Sequence, residues 1–324
     1  MDRRKFFHLT FGGVIGLSGL RRFQAQARSV GKPLSGNTLA KRPLGKTGEK
    51  LSIVGLGGLV LASETQEKAS QIVRDAIDAG VNYFDVAPSY GNAEDRMGPA
   101  LKPFRKNVFL ACKTLRRDSQ GAEEELTSSL RKLETDHFDL YQLHALSKIE
   151  DVQQALGPGG ALETFQKARQ AGKIRFIGFS AHSQEAALAA MDQFDFDTVL
   201  FPFNFVCFLK ADFGPAVMKK AKEKQMGVLA LKALARRPWP SPDLRKEWPK
   251  AWYQPLTDPA ELALGLRFTL SLPVTAAVPP GDARIFYPAL EVARSFTPLS
   301  SQEENDVRQL ASNLKPLFEL HPGF

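Results

Sequence analysis

Apolar and polar residues follow a repeating order along this chain, in which short apolar runs alternate with amphipathic segments. Short apolar runs of this length predict β-strands, and spacing at a period of 3.6 residues predicts helices. The predicted strands cover residues 51–58, 81–85, 108–113, 138–144, 174–180, 198–203, 227–231 and 274–278. The predicted helices cover residues 66–79, 93–102, 122–133, 160–171, 183–192, 215–225, 258–270, 284–294 and 301–314. Because strands that alternate with helices build parallel sheets, the pattern predicts an α/β protein.

The number of strand–helix repeats indicates which kind of α/β fold is formed. Eight strand–helix repeats within about 280 residues favour a closed (β/α)8 TIM barrel over an open Rossmann sheet. The glycine pair Gly57-Gly58 follows the first strand, but it lacks the full G-x-G-x-x-G pattern of a dinucleotide-binding Rossmann fold. Residues 42–48 predict a small N-terminal β-hairpin that plugs the barrel. We therefore predict a barrel domain over residues 42–324.

The N-terminus has the pattern of a targeting segment. Residues 1–27 combine a basic start, an apolar run from Phe6 to Leu20 and the small-x-small pattern Ala25-Gln26-Ala27. The run is too short to span a membrane, so we predict an export signal. The pair Arg3-Arg4 resembles the twin-arginine signal of bacteria, which implies export of a folded protein to the periplasm by the twin-arginine machinery. A basic patch before a membrane-surface helix is the alternative, and whether a signal is cleaved or kept as an anchor stays open. Residues 28–41 are predicted to be a linker.

Charge and cysteine content limit the partners. The net charge is +8, and half of it lies in residues 1–27, so the body is only mildly basic. No dense Lys/Arg run with interleaved aromatic residues is present, and we therefore expect small anionic molecules rather than nucleic acid as partners. Cys112 and Cys207 lie in apolar, strand-like runs, which favours two buried thiols over a disulfide. The Cys and His residues do not have the spacing of metal ligands.

Polar residues occur at the ends of three consecutive predicted strands. Asp85 ends the second strand, Lys113 the third and His144 the fourth, while Tyr90 follows Asp85 in the next loop. Active sites of (β/α)8 barrels lie at the C-terminal ends of the strands. We therefore expect these four side chains to meet at one mouth of the barrel.

These four side chains can support acid catalysis. A tyrosine phenol has a pKa of about 10, and a nearby ammonium lowers it. Lys113 can supply that charge to Tyr90, Asp85 can hold Lys113, and His144 can orient a carbonyl oxygen. Tyr90 would then act as the general acid toward that oxygen. Each side chain alone has a structural alternative, such as a turn cap for Asp85 or a core histidine for His144, but their common location favours chemistry.

Several motifs resemble those of the aldo-keto reductase superfamily, over about residues 42–311. They are RPLGKTGEKLSIVGLGG, VNYFDVAPSYGNAEDRMGPALK, VFLACKT, LRKLETDHFDLYQLHAL and GKIRFIGFSAHS. The resemblance assigns the catalytic tetrad of that superfamily to Asp85, Tyr90, Lys113 and His144. It also implies a (β/α)8 barrel and hydride transfer between a nicotinamide cofactor and an aldehyde or ketone. The cofactor implied is NADPH, with NADH as the alternative.

The chain departs from this superfamily around the cofactor. Ser180 is retained after the fifth strand, but the usual Asn that follows it is missing, and His182 offers either a replacement polar contact or simple exposure. Leu200 takes the place of the usual Gln on the sixth strand. Leu231 takes the place of the aromatic residue that stacks on nicotinamide.

The phosphate-reading segments differ as well. Lys232 lies where the superfamily's loop approaches the pyrophosphate, and the segment containing Gly281, Asp282 and Arg284 replaces the usual phosphate-reading segment. Asp282 is an unfavourable neighbour for a 2′-phosphate, whereas Arg284 is a suitable one. The resemblance thus implies cofactor binding by Ser180, Lys232, Gly281 and Arg284.

A Pro-rich loop after the seventh strand contains all three Trp residues of the chain, in residues 235–257. We interpret this loop as a lid over cofactor or substrate, with Arg236 and Arg237 facing the pyrophosphate. The alternative is a loop packed on the outer surface of the barrel.

Two functions are consistent with the sequence. The first is an exported NADP(H)-dependent oxidoreductase that reduces an aldehyde or ketone, or catalyses the reverse reaction. The second is an exported barrel kept as a ligand-binding or structural module with little turnover, which the changes at Leu200 and Leu231 would favour.

Overall fold

The computed structural model describes residues 38–320. The predicted export signal, residues 1–27, and residues 28–37 of the predicted linker lie outside the described residues. The last part of that linker belongs to the fold, because Leu39 is buried and its N–H donates to the carbonyl of Ala79 at 3.4 Å. The first strand then begins at Lys41.

The described residues alternate strands and helices, as predicted. The strands are β1 (Lys41–Pro43), β2 (Lys50–Ser52), β3 (Leu56–Gly57), β4 (Tyr83–Asp85), β5 (Phe109–Thr114), β6 (Phe138–Leu146), β7 (Ile174–Ala181), β8 (Thr198–Pro202), β9 (Gly227–Leu231), β10 (Ala235–Pro238), β11 (Tyr253–Pro255) and β12 (Ala276–Val278). The α-helices are α1 (Gln66–Asp78), α2 (Ala93–Leu101), α3 (Ser119–Lys132), α4 (Ile149–Leu156), α5 (Ala161–Gln170), α6 (Gln184–Gln193), α7 (Phe205–Lys210), α8 (Pro215–Glu223), α9 (Pro242–Arg245), α10 (Pro259–Ser271), α11 (Ala283–Arg294) and α12 (Ser301–Ser312). Short 3-10 helices cover Gly58–Val60 and Lys102–Asn107.

Eight parallel strands form the central sheet, in the order β3-β4-β5-β6-β7-β8-β9-β12. The two edges meet where Val54 forms a parallel bridge with Ala277 of β12. Ala277 N donates to Ile53 O at 2.9 Å, and Gly55 N donates to Ala277 O at 3.0 Å. The sheet is therefore closed, and the predicted (β/α)8 barrel is confirmed.

An antiparallel hairpin of β1 and β2 lies at the N-terminal end of the barrel. Leu44 and Leu51 of this hairpin are buried in one cluster with side chains of the barrel interior. A Cβ on Gly227, at the start of β9, would lie 2.4 Å from Leu44 Cδ1, so a glycine lets the hairpin approach the strand closely. The hairpin fills the bottom of the barrel and leaves the opposite end for chemistry.

The sequence pattern missed the short helices α4, α7 and α9, the two 3-10 helices and the β10–β11 hairpin. Cys207 lies in α7 rather than in a strand, so its predicted strand context is wrong. The prediction of two buried, unpaired thiols is confirmed for Cys112 and Cys207.

Two features are absent from residues 38–320. In this part of the chain no helix is long and apolar enough to cross a membrane. Within the same residues, no group of His, Cys, Asp and Glu side chains is arranged to hold a metal ion.

Candidate active site

The structure brings the four predicted side chains together at the C-terminal end of three adjacent strands. Asp85 ends β4, Lys113 lies in β5 and His144 lies in β6, with Tyr90 in the loop after β4. Lys113 is fully buried, and its ammonium pairs with the Asp85 carboxylate. Lys113 Nζ also donates to Val86 O at 3.2 Å. A buried cation is therefore held by a carboxylate and a backbone carbonyl.

Two further side chains orient Asp85. Tyr83 donates its hydroxyl to Asp85 Oδ2 at 3.1 Å, and Gln142 Nε2 donates to the same oxygen at 3.2 Å. Both residues are fully buried. Sequence reasoning missed them, although the period-two rule of strands places Tyr83 on the face of Asp85 and Gln142 on the face of His144.

Tyr90 lies between Lys113 and His144. Lys113 Nζ is 5.1 Å from the centroid of the Tyr90 ring, and the His144 ring meets that ring edge-on with centroids 5.7 Å apart. Burial raises the pKa of Tyr90 above its ordinary value, although the Lys113 charge lowers it. The expected lowering by Lys113 is thus present, but burial outweighs it.

The charge state of the other two groups is set by the same environment. Burial lowers the pKa of Lys113, but Asp85 more than compensates, so its pKa lies above the ordinary value and Lys113 is an ammonium. Burial, with the nearby Lys113 charge, lowers the pKa of His144 to about 2. His144 is therefore a neutral imidazole at physiological pH. Its Nδ1 is buried without a hydrogen-bond partner among residues 38–320.

A cavity of about 310 Å³ opens above these side chains. Its lining residues are Leu59, Ser89, Tyr90, Lys113, His144, Ser180, His182, Leu200, Leu231, Lys232, Arg245, Lys250 and Trp252. The charged side chains in this lining are all cationic, with no carboxylate among them. The cavity therefore suits a ligand with anionic groups.

A second, smaller cavity of about 60 Å³ shares part of this lining and extends toward Gly57 and Gly281. Lys232 and Lys250 line both cavities. The two cavities together form a groove that runs from Tyr90 to the loop after β12. The lysines and the glycine backbone of this lining would suit an anionic cofactor such as a nicotinamide dinucleotide, whose hydride chemistry the chain itself does not supply.

Three of the four predicted cofactor residues line this groove. Ser180 accepts a hydrogen bond from Ala145 N at 2.8 Å, which leaves its own hydroxyl proton free to be donated. Lys232 has a left-handed backbone, and its ammonium lies 5.3 and 5.4 Å from the ring centroids of Trp252 and Tyr253. Burial, with the Lys113 charge, lowers the pKa of Lys232 to about 8. Gly281 lines the smaller cavity.

The fourth, Arg284, lines neither cavity, in contrast to its predicted role. Its guanidinium pairs with Asp282 at 2.7 Å and lies 3.8 Å from the centroid of the Trp248 ring. Local partners also engage the two arginines that we expected to face the pyrophosphate. Arg236 forms a two-point ion pair with Glu261, and Arg237 donates to Gln254 Oε1 at 2.7 Å. The partners of Arg236 and Arg237 lie 25 and 17 residues further along the chain, so sequence spacing could not foresee them. Asp282, by contrast, lies two residues before Arg284.

Residues 239–252, which we name the strap, join β10 to β11 and lie at the mouth of the barrel. Arg245, Lys250 and Trp252 of the strap line the main cavity. Lys250 Nζ donates to Glu64 Oε1 at 2.7 Å and to Val60 O at 3.1 Å, in the segment between β3 and α1. This path agrees with the interpretation of the loop as a lid and not with packing on the outer surface.

His182 lines the main cavity rather than lying exposed. Its ring stacks on Phe318, with centroids 5.3 Å apart and 15° between the ring planes. Burial, with the Lys232 charge, lowers the pKa of His182 to about 4, so it is neutral at physiological pH.

Sequence comparison places the chain in a family. Residues 53–238, more than half of the chain, match the Aldo/keto reductase family. Among curated relatives, aldo-keto reductase YhdN of Bacillus subtilis is 32% identical over 213 residues, which cover 59% of this chain and 60% of the relative. The uncharacterized oxidoreductase YqkF of the same organism is 34% identical over 157 residues, covering 44% and 49%. The matched part thus spans about half to three fifths of these relatives. The chain belongs to the aldo/keto reductase family.

Solved structures support the fold. The holo form of aldo-keto reductase AKR11C1 from Bacillus halodurans superimposes with a TM-score of 0.66 at 24% identity. The superposition covers 84% of this chain and 96% of that one. The superposition extends beyond the matched family segment and shows that the two chains share the (β/α)8 fold.

Proposed function

We propose that this protein is an NADP(H)-dependent oxidoreductase that reduces an aldehyde or ketone to an alcohol, or catalyses the reverse reaction. The observation that carries the proposal is the buried Asp85–Lys113 ion pair beside Tyr90 and a neutral His144, all at one cavity. Family membership agrees with it, as do the names of two relatives, the oxidoreductase YqkF and the aldo-keto reductase YhdN.

The cofactor supplies the hydride when it is bound, and the chain supplies the proton. Tyr90 keeps its proton at neutral pH because burial raises its pKa, so it can donate that proton to the carbonyl oxygen. The Lys113 ammonium then stabilises the phenolate that remains. A neutral His144 retains one N–H that can orient the same oxygen. Asp85 holds Lys113 in place through their ion pair.

The residues proposed to hold the cofactor are Ser180, Lys232 and Gly281, together with Lys250 on the strap. NADPH is the proposed cofactor, as the family resemblance implies. NADH is the alternative, because Arg284 is paired with Asp282 and does not line the groove, where it could contact a 2′-phosphate. A natively purified sample should carry bound nucleotide that mass spectrometry identifies.

The substitution Tyr90→Phe tests the proposed acid. We expect kcat/KM for aldehyde reduction to fall by about a hundredfold to ten-thousandfold, because the proton donor is lost. The affinity for NADPH, measured by fluorescence titration, should stay unchanged. The control is Tyr287→Phe, whose hydroxyl contacts Asp75 on another face of the barrel. Full activity in Tyr90→Phe would contradict the proposal.

A panel of aldehydes and ketones separates this function from a binding or structural module. Leu200 and Leu231 line the cavity where the resemblance implied a Gln and an aromatic residue, and this is the observation that favours the alternative. Stoichiometric NADPH binding without oxidation of NADPH by any carbonyl compound would support the module.

We also propose export to the periplasm by the twin-arginine route, with no membrane attachment beyond an uncleaved signal. The support is the Arg3-Arg4 pair and the Ala25-Gln26-Ala27 pattern. Cell fractionation should find the protein in the periplasm, and the double substitution Arg3→Lys with Arg4→Lys should retain it in the cytoplasm. A wild-type protein found only in the cytoplasm would contradict export.

A further inference from the structure

The end of β6 contains a β-bulge at His144 and Ala145. Leu143 pairs with Phe179 and Leu146 with Ala181, so one extra residue of β6 is left unpaired against β7. Ala145 has a left-handed backbone with φ of 55°, a conformation that costs about 1–3 kcal/mol outside glycine. Bulges beside active sites redirect a side chain. Here the bulge sets the direction of the His144 imidazole.

Three side chains hold this strained segment: Ser180, Arg117 and Ser147, whose Oγ donates to Ala145 O at 3.0 Å. Ser180 Oγ accepts from Ala145 N at 2.8 Å. On the other side, Arg117 Nη2 donates to His144 O at 2.8 Å and to Ala145 O at 3.3 Å. The guanidinium thus satisfies two carbonyl groups at the point where strand pairing is interrupted.

Arg117 is itself fixed between two segments. Its side chain is 11% exposed, and its Nε lies 3.7 Å from Asp151 Oδ1. Asp151 Oδ2 in turn accepts from Ser147 N at 2.9 Å, just after the bulge. The backbone carbonyl of Arg117 accepts from Ala161 N at 2.8 Å, at the start of α5. These contacts tie the loop after β5 to the bulge and to two helix starts.

The hydrogen bonding of Arg117 is incomplete. Its Nε and Nη1 are buried without hydrogen-bond partners among residues 38–320. A buried cation with unsatisfied donors is destabilising, and an apolar side chain of similar size would avoid that cost. An apolar residue, however, could not donate hydrogen bonds to the carbonyl groups of His144 and Ala145, as Arg117 does.

We infer that Arg117 is a positioning residue that holds the His144 bulge and thereby directs the imidazole toward Tyr90 and the cavity. It acts through the backbone carbonyls and does not touch the cavity. The effect of Arg117 on catalysis rests on the proposed reductase function. The effect of Arg117 on the orientation of the His144 imidazole does not.

The test compares Arg117→Met, Arg117→Lys and the control Arg116→Met in the full chain. Arg116 is adjacent, exposed and paired with Glu125 at 3.2 Å. The first readout is the imidazole nitrogen spectrum by nuclear magnetic resonance, in which the His144 signals are assigned with His144→Gln. We expect the His144 signals to shift in Arg117→Met, to shift less in Arg117→Lys, and to stay in place in Arg116→Met.

The second readout is kinetic. We expect kcat of Arg117→Met to fall by about tenfold to a hundredfold, because a small misplacement of a reacting group is sufficient for such a loss. The affinity for NADPH should be retained, and added guanidinium ion should restore part of kcat. Arg116→Met should stay within about twofold of the wild type.

The outcomes separate the two proposals. Unshifted His144 signals in a folded Arg117→Met variant would overturn the positioning role, as would an unchanged kcat in an active enzyme. If Arg117→Met fails to fold, Arg117→Lys and Asp151→Asn carry the same test, and unshifted His144 signals in both would overturn the role. If the wild type reduces no carbonyl compound, the proposed function fails, but the resonance readout still decides whether Arg117 positions His144.

Discussion

Asp85 receives hydrogen bonds from three side chains and is the fixed point of the candidate site. Lys113 contacts one carboxylate oxygen, while Tyr83 and Gln142 share the other. Three donors hold the carboxylate in place, and the carboxylate in turn raises the pKa of the buried Lys113 and keeps it charged. Lys113 can stabilise a Tyr90 phenolate only while this arrangement persists.

The substitution Tyr83→Phe tests the arrangement. Removing one hydrogen bond to a charged group should lower the free energy of unfolding by about 1–3 kcal/mol, measured by urea denaturation. We expect only a modest loss of kcat, because Gln142 and Lys113 still hold Asp85. The matched control is Tyr141→Phe, since the Tyr141 hydroxyl is buried without a hydrogen-bond partner in residues 38–320. Equal destabilisation by both substitutions would contradict this account.

His182 makes stability depend on pH. Its pKa is about 4 in the folded protein, below the ordinary value of about 6.5. The unfolded chain therefore binds more protons below pH 6.5, and stability falls as the pH drops from about 6.5 toward 4. At pH 5 this one residue should lower the free energy of unfolding by about 2 kcal/mol. In His182→Gln, the stability loss between pH 7.5 and pH 5 should shrink by that amount. An unchanged loss would contradict the burial of a neutral His182.

At the residue scale, the sequence predicted the functional side chains that lie at the ends of strands. It missed the side chains whose positions depend on contacts between distant parts of the chain. Asp85, Lys113 and His144 follow from the barrel rule alone. Arg117 does not, because the carbonyl groups that it contacts lie on a segment whose approach depends on the fold. Asp282 lies two residues before Arg284, but the spacing alone did not show that the two side chains pair. The sequence also did not predict that the pKa of Tyr90 is raised, because the direction of this shift depends on how deeply the phenol is buried.

At the element scale, the strap adds three side chains to the lining of the main cavity. The β10–β11 hairpin supports it from below, and Lys250 ties its end to Glu64 across the mouth. The three Trp residues drew attention to this loop in the sequence. The loop has no regular hydrophobic spacing, so the path of its backbone could not be predicted. The helices α4 and α7 were missed because each is short and lies close to a strand end.

The substitutions Lys250→Met and Glu64→Gln test whether the strap retains the cofactor. The ion pair is partly buried at 2.7 Å, so its loss should destabilise the closed strap by about 1 kcal/mol. We expect NADPH to dissociate about fivefold faster in stopped-flow fluorescence for Glu64→Gln, which removes only the ion pair. Dissociation should be faster still for Lys250→Met, which also removes a lysine proposed to hold the cofactor. The control is Lys246→Met, which removes an exposed pair within the strap. An unchanged dissociation rate in both Lys250→Met and Glu64→Gln would mean that the strap does not retain the cofactor.

At the scale of the whole molecule, one end of the barrel serves stability and the other serves chemistry. The hairpin fills the bottom, and all four tetrad side chains lie at the top. Alternating patterns were sufficient to predict this closed architecture, because eight strand–helix repeats leave few other solutions. The substrate was not predictable, since loops of irregular sequence line the cavity.

The central claim is hydride transfer to a carbonyl carbon with proton donation by Tyr90. It is tested most directly with NADPH that carries deuterium at C4 of the nicotinamide, on the side found to be transferred. We predict that the alcohol formed by the wild type carries one deuterium on the former carbonyl carbon, and that Tyr90→Phe forms almost none of this product. Unlabelled alcohol, or no oxidation of NADPH with any aldehyde or ketone, would contradict the account.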